Sequence, residues 1–241
     1  MSKLLAPFPN WLRERDIIQR FSDFNEYVTL HGFTTVVSNS GTVVAGDAVG
    51  GRVTLNPSDC SVVDNDEAYL KGANEIFKFA NHKPLIFEAL VQFTEGNTDD
   101  ANVIVGLKDA VAADSILDNG AGPAASYSGA VFFKVDGDTI WNVETSIGGT
   151  QTTTRLSAAN SLDKQDKTAG GAAFQRLRIE FEPFSSTQAN VMFSIDGALV
   201  AKHIFTYTSA TEMQECFGIK NGANTTVEAL VVDYSYCAQA R

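Results

Sequence analysis

Cysteine is scarce here: Cys60, Cys216 and Cys237 are the only three in 241 residues. An odd, sparse set excludes a disulfide framework. Histidine is equally rare, with only His31, His82 and His203, and no pair of Cys or His falls at ligand spacing, which argues against a zinc site. Cys216 and Cys237 sit in apolar, strand-like stretches and read as small reduced hydrophobes, and His203 as a structural residue of a strand. Basic charge is short as well. Eighteen Lys and Arg face 29 Asp and Glu, a net charge of −11. A nucleic-acid binder needs a dominant basic surface, so none is expected. No apolar run approaches the length of a membrane span, and the first residues lack the apolar core of a secretory signal. Without such a signal, the sequon Asn224-Thr225-Thr226 carries no weight. The familiar catalytic patterns are absent too. There is no Gly-Lys-Ser/Thr phosphate loop, no Gly-x-Gly-x-x-Gly and no Gly-x-Ser-x-Gly elbow.

What is present is the material of a folded domain: 44% hydrophobic and 20% charged residues in a length that suits one β-sandwich. Residues 1–26 differ from the rest. They hold four basic and four acidic side chains, so the remaining fourteen and twenty-five account for the whole net charge. Pro7-Phe8-Pro9 cannot continue a helix or a central strand and predicts an extended arm. Trp11, Ile17, Ile18, Phe21 and Phe24 give residues 11–24 a partial helical apolar face, which predicts one amphipathic helix. The expected organisation is an extended and helical arm over 1–32 and an all-β body over 33–241.

From residue 33 the pattern becomes short Val-, Ile-, Phe- and Thr-rich runs between Gly, Asn, Asp and Ser. Strands are expected at 42–45, 52–55, 75–79, 84–94, 102–108 and 227–236. Asp136-Gly137 and Asp196-Gly197 each lie between β-rich runs and predict two-residue hairpin turns. Phe174 to Glu182 alternates apolar and charged residues, so one face is buried and one wet. Residues 110–129 and 146–173 are polar and rich in small residues, and are expected to be long exposed loops. The fold class expected is an antiparallel β-sandwich or barrel.

Candidate chemistry is thin. Glu180 and Glu182 share a strand face at i, i+2, as expected of a solvated face rather than of a glycosidase pair across a bond. Asp64-Asn65-Asp66-Glu67 and Asp99-Asp100 are dense in oxygen but lack calcium-loop spacing and read as self-capping turns. Trp141 is expected to pack opposite Phe132 and Phe133. With Tyr127 it is also the one candidate platform for stacking a sugar.

The order of these strands resembles the concanavalin A-like, LamG-type jelly roll, especially its phage-encoded relatives. The resembling pieces are Asp47-Ala-Val-Gly50-Gly51-Arg-Val-Thr-Leu, Asp64-Asn65-Asp66-Glu-Ala-Tyr-Leu, the strands at 84–93 and 102–109, Phe-Ser-Ile-Asp196-Gly197, Gly218-Ile-Lys220-Asn-Gly222 and Val231-Val-Asp233-Tyr234. The resemblance implies a non-enzymatic virion protein on the capsid exterior, assembled in the host cytoplasm, that decorates and cements the shell by binding the major capsid protein. It implies a homo-oligomer, with a trimer suiting threefold positions, and no cofactor or metal. The glucanase carboxylates and the lectin calcium and sugar ligands do not map onto this chain. Phe8, Trp11, Arg13, Arg15 and Arg20 are the expected partner anchors of the arm, since aromatic and Arg residues dominate interfaces. A carbohydrate-binding module or virion adhesin using Tyr127 and Trp141 is the alternative.

Overall fold

A computed structural model describes residues 16–25, 32–38, 41–46, 48–58, 63–95, 100–207, 211–222 and 228–241. Period-two alternation of apolar and polar side chains makes strands, and the described residues hold no α-helix. The strands in chain order are β1 (Ile17–Ser22), β2 (Phe33–Ser38), β3 (Thr42–Gly46), β4 (Arg52–Asn56), β5 (Glu67–Gly72), β6 (Phe77–Lys78), β7 (Leu85–Thr94), β8 (Asn102–Lys108) and β9 (Ile116–Leu117). They continue as β10 (Gly122–Pro123), β11 (Gly129–Lys134), β12 (Asn142–Ile147), β13 (Thr150–Arg155), β14 (Phe174–Pro183), β15 (Gln188–Ile195), β16 (Ala198–Thr206), β17 (Glu212–Lys220) and β18 (Ala229–Ala240).

Two eight-stranded antiparallel sheets face each other. The first runs β16-β15-β14-β7-β18-β4-β3, with β1 beside the last residues of β18; the second runs β13-β12-β11-β8-β17-β5-β2, with β6 beside the start of β17. Leu177, Ile179 and Phe181 of β14 point into the core, and Arg178, Glu180 and Glu182 alternate with them. Phe87, Phe193 and Phe181 from the first sheet meet Phe132, Trp141 and Phe217 from the second sheet and its flanking loop. Burying each such side chain contributes roughly 1.5–3 kcal/mol. The Asp196-Gly197 turn is the two-residue hairpin expected. Ile195 pairs with Ala198, and both turn residues have positive φ, 51° and 86°.

Four expectations are corrected. Residues 17–22 are a strand, not a helix: Ile17 pairs with Ala240 and Phe21 with Tyr236. The four-residue spacing of Ile17 and Phe21 places them on one face of a helix, but four is also even, so it places them on one face of a strand. The sandwich therefore begins within the segment assigned to the arm; residues 11–15 lie outside the described residues. The Asp136-Gly137 turn forms, with Asp138 N–H donating to Val135 O at 3.1 Å, yet β11 and β12 pair only from Phe133 and Asn142. Asp138 is held instead by the Arg155 guanidinium, at 2.6 Å, which keeps the connection wide. The run 110–129 is not an open loop. It folds back on the second sheet, burying Val111, Ile116 and Tyr127. Part of the other expected loop, 150–155, is the strand β13, turned by Gly148-Gly149.

The space between the sheets also holds polar groups. His203 of β16 bonds Thr145 Oγ1 and Thr154 Oγ1, each at 3.0 Å, and burial lowers its pKa to about 4, so the imidazole is neutral. Arg20 of β1 reaches Glu215 of β17, Nη1 to Oε2 at 2.7 Å, with its guanidinium 5.4 Å from the Phe33 ring. Among the described residues Glu215 Oε1 has no hydrogen-bond partner. Burial pushes the Glu215 carboxyl up to about 7 although Arg20 pulls the other way.

Candidate binding face

The outer face of the second sheet carries a buried apolar cluster flanked by ionisable groups. Tyr69, Ile104, Val131, Phe133 and Cys216 point outward from β5, β8, β11 and β17, and Val111, Ile116 and Tyr127 from the 109–128 segment close over them. Gly218 sits beneath Tyr69; a Cβ there would lie 2.3 Å from the ring, so only glycine lets the tyrosine lie flat. Burial pushes the Cys216 thiol up to about 12, which makes it an unreactive hydrophobe.

Ionisable groups flank this cluster on two sides. On one, Glu67 accepts hydrogen bonds from Tyr69 Oη at 2.8 Å, Ser38 Oγ at 3.1 Å and the Asp114 N–H at 3.0 Å. Lys220 Nζ lies against the Asp114 carboxylate and 3.7 Å from Glu67. On the other, Lys108 Nζ donates to Ser115 O at 2.9 Å and lies 4.6 Å from the centre of the Tyr127 ring. Tyr127 Oη donates to Glu144 at 2.9 Å, and Glu144 also accepts from Gln151 Nε2 and Thr153 Oγ1. Burial lowers the pKa of Lys108 and raises that of Tyr127. These bonds clamp residues 109–128 to the sheet. Asp114→Ala is expected to free Lys220, destabilise the fold by about 1–2 kcal/mol and speed amide exchange at Ser115 and Ile116 before global unfolding, read by hydrogen exchange.

At one end of the face Asn102 links two carboxylate-bearing turns. Its Oδ1 accepts the Asp136 N–H at 2.9 Å and its Nδ2 reaches Asp118 at 3.4 Å. Burial raises the pKa of Asp64, assisted by Asp118, and that of Asp136, assisted by Asp100. The Asp64–Glu67 run acts as a turn: Asn65 has φ 69°, and Asp66 Oδ2 accepts from Ser58 Oγ at 2.7 Å and the Val63 N–H at 3.1 Å. Asp99 lies outside the described residues. Among the described residues no group of three or more side chains is placed to hold a metal.

The two aromatic candidates are both inside the protein. Trp141 is fully buried, its indole N–H donating to Gln175 Oε1 at 2.9 Å and its ring edge-on to Phe132. Tyr127 is 3% exposed. Neither offers a face to a sugar. Arg20 points into the sandwich toward Glu215, and Phe8, Trp11, Arg13 and Arg15 lie outside the described residues. Glu180 lies on the outer face of the first sheet beside Arg178, with Glu182 next along the same strand face. Sequence reasoning missed Lys108 and Glu144, read Glu67 only as part of a turn, and named Lys220 only within a resembling strand. The one signal was a lysine ending an apolar strand, as in Val105-Gly106-Leu107-Lys108.

No family model matches the sequence, and no curated protein matches it. Solved structures do match in fold. The carbohydrate recognition domain of Emp47p aligns with a TM-score of 0.60 at 10% identity, over 94% of this chain and 98% of that one. The endo-1,3-β-glucanase of Streptomyces sioyaensis aligns with a TM-score of 0.59 at 11% identity, over 95% and 98%. Peanut lectin aligns with a TM-score of 0.57 at 10% identity, over 93% and 97%. At such identities the likeness shows the fold alone: a two-sheet jelly roll of the lectin type, a scaffold that carries both binding proteins and enzymes.

Proposed function

We propose that this chain is a non-enzymatic virion structural protein that decorates and stabilises a phage capsid by binding the major capsid protein. The observation that carries this reading is the closed outer face of the second sheet. Residues 109–128 lie bonded down on that face, and Glu67, Glu144, Lys108 and Lys220 are held by partners within the chain. A scaffold closed in this way serves as a rigid block, and its contacts come from its periphery. The phage-type resemblance of the strand pattern supplies the shell as the partner. Bridging neighbouring subunits raises the free energy needed to part them.

The test is co-sedimentation with empty capsid shells of the source phage, comparing the full chain with a variant lacking residues 1–15. The deletion must stop there, because removing 16–26 would take β1 and Arg20 out of the first sheet. Saturation of the shell at a fixed ratio by the full chain is the expected result, lost in the truncated form. Binding by both forms would move the contact from the arm to the sandwich. Failure of both to sediment would end the capsid reading.

A second reading, glycan binding, is favoured by the carbohydrate recognition domain and the lectin among the structures of similar fold. It requires residues 109–128 to lift from the sheet. Saturable binding in a glycan titration, with faster amide exchange at Ile116, would put it first.

A further inference from the structure

We infer that β13 is a docking edge for a second copy of this chain, the two β13 strands pairing antiparallel about a twofold axis at Thr153. A sheet edge displays unpaired N–H and C=O groups, and proteins blunt such edges with Lys, Pro, bulges or covering segments. The edge of the first sheet on the same side of the sandwich is blunted. β16 carries the exposed Lys202, pairs with β15 through a bulge between Phe193 and Ser194, and has its Val200 carbonyl taken by the Leu162 N–H at 2.9 Å. β13 has no Lys, Pro or bulge and, among the described residues, no covering segment; its one charge is Arg155, which Asp138 holds. Its sequence is Thr-Gln-Thr-Thr-Thr-Arg, its pairing with β12 is regular, and five of its six residues are exposed.

The hydrogen-bond parity along β13 is fixed. Gly148 and Gly149, at φ 54° and 87°, make the two-residue turn whose closing pair, Ile147 and Thr150, is hydrogen-bonded. At the far end the Leu156 N–H donates to Trp141 O at 2.9 Å, in phase with that turn. Antiparallel ladders alternate, so the N–H and C=O of Gln151, Thr153 and Arg155 point away from β12. Among the described residues none of these groups has a partner. The same alternation dictates what fits. In a second antiparallel strand these residues must meet their own kind, and twofold pairing about Thr153 sets Thr153 against Thr153 and Gln151 against Arg155. Arg155 is the only charged residue of the strand, and Asp138 already holds it at 2.6 Å, so no like charges face each other. Thr152 then faces Thr154, and β-branched cross-strand pairs of this kind favour pairing. The occupant is a second copy because the edge complements itself, which is the condition for a twofold contact.

The test is sedimentation of the full chain over a concentration series, beside Thr153→Pro and Thr153→Cys. Proline removes a donor that points away from β12, so the intrachain ladder keeps its bonds while the outer edge loses one. The wild type is expected to approach twice the mass of one chain. Thr153→Pro should raise the dissociation constant by about tenfold or more. Thr153→Cys is expected to yield a disulfide-linked dimer on mild oxidation, well ahead of Thr152→Cys, since only position 153 meets itself on the axis. Amides of Gln151, Thr153 and Arg155 should exchange more slowly as concentration rises. If Thr153→Pro fails to fold, Thr153→Lys gives the same readout by bringing two ammonium groups together. A single-chain mass at every concentration, or an oligomer of any size that tolerates both Thr153→Pro and Thr153→Lys, would overturn the inference.

Discussion

Arg20→Ala is expected to destabilise the protein by about 3–5 kcal/mol at pH 8, because it removes the charge that offsets ionisation of the Glu215 carboxyl buried between the sheets. Among the described residues Glu215 already has one oxygen without a hydrogen-bond partner, and Arg20 Nη1 at 2.7 Å is its only ion-pair partner. The variant also loses the guanidinium beside the Phe33 ring and the side chain that ties β1 to the opposite sheet. The penalty should shrink on acidification. Glu215 titrates near 7 in the fold against an ordinary value of 4.5, so its contribution is full below 4.5 and is lost as pH rises through 7. Without Arg20 its pKa rises further, so the fall in stability over that range grows larger. Urea unfolding at pH 5 and pH 8 measures both effects. Arg20→Met with Glu215→Leu should recover most of the loss, since an apolar pair of similar volume carries no desolvation cost. Equal losses at both pH values would show that the charge on Glu215 is not the cause.

His203 sets an acid limit of the opposite sign. Its pKa in the fold is about 4 against an ordinary 6.5, because burial disfavours the imidazolium. Between those values the unfolded chain binds the extra proton, so stability falls as pH falls from 6.5 toward 4, by about 3 kcal/mol from this one group. Glu215 and Glu228, both raised by burial, gain stability over the same descent and flatten the whole-protein profile. The difference between wild type and His203→Gln isolates the histidine. Glutamine retains a donor and an acceptor for Thr145 and Thr154 but cannot be protonated in this range. The two unfolding curves are expected to converge or cross on acidification; a constant separation from pH 7.5 to 4 would remove His203 from the acid response.

The parts legible in the sequence were those where local pattern and tertiary demand agree. Alternation in Phe174–Glu182 forecast a half-wet strand, and Asp196-Gly197 forecast its hairpin turn. The same dipeptide at 136–137 forms its turn without a tight hairpin, because Arg155, distant in sequence, holds Asp138. β1 was misread because an even spacing of apolar residues satisfies helix and strand alike; the choice was made by β18, more than two hundred residues away. The candidate face was hidden for a different reason. Val111, Ile116 and Tyr127 lie among small and polar residues, and no window shows that they share one surface. Buried lysines are invisible until the carbonyls and carboxylates that receive them are in place.

The position of β18 has a consequence for how the chain is made. This strand pairs with β7 on one side and with β4 and β1 on the other, so it is the keystone of the first sheet. It is also the last of the eighteen to leave the ribosome. The second sheet is complete at β17, but β1, β3 and β4 must wait more than 170 residues, until β18 is made, for the neighbour that joins them to β7. Closure of the sandwich therefore spans long sequence separations and leaves unpaired edges exposed until β18 arrives. A chain cut between β17 and β18 would leave the first sheet in three pieces: β16-β15-β14-β7, β4-β3, and β1 alone.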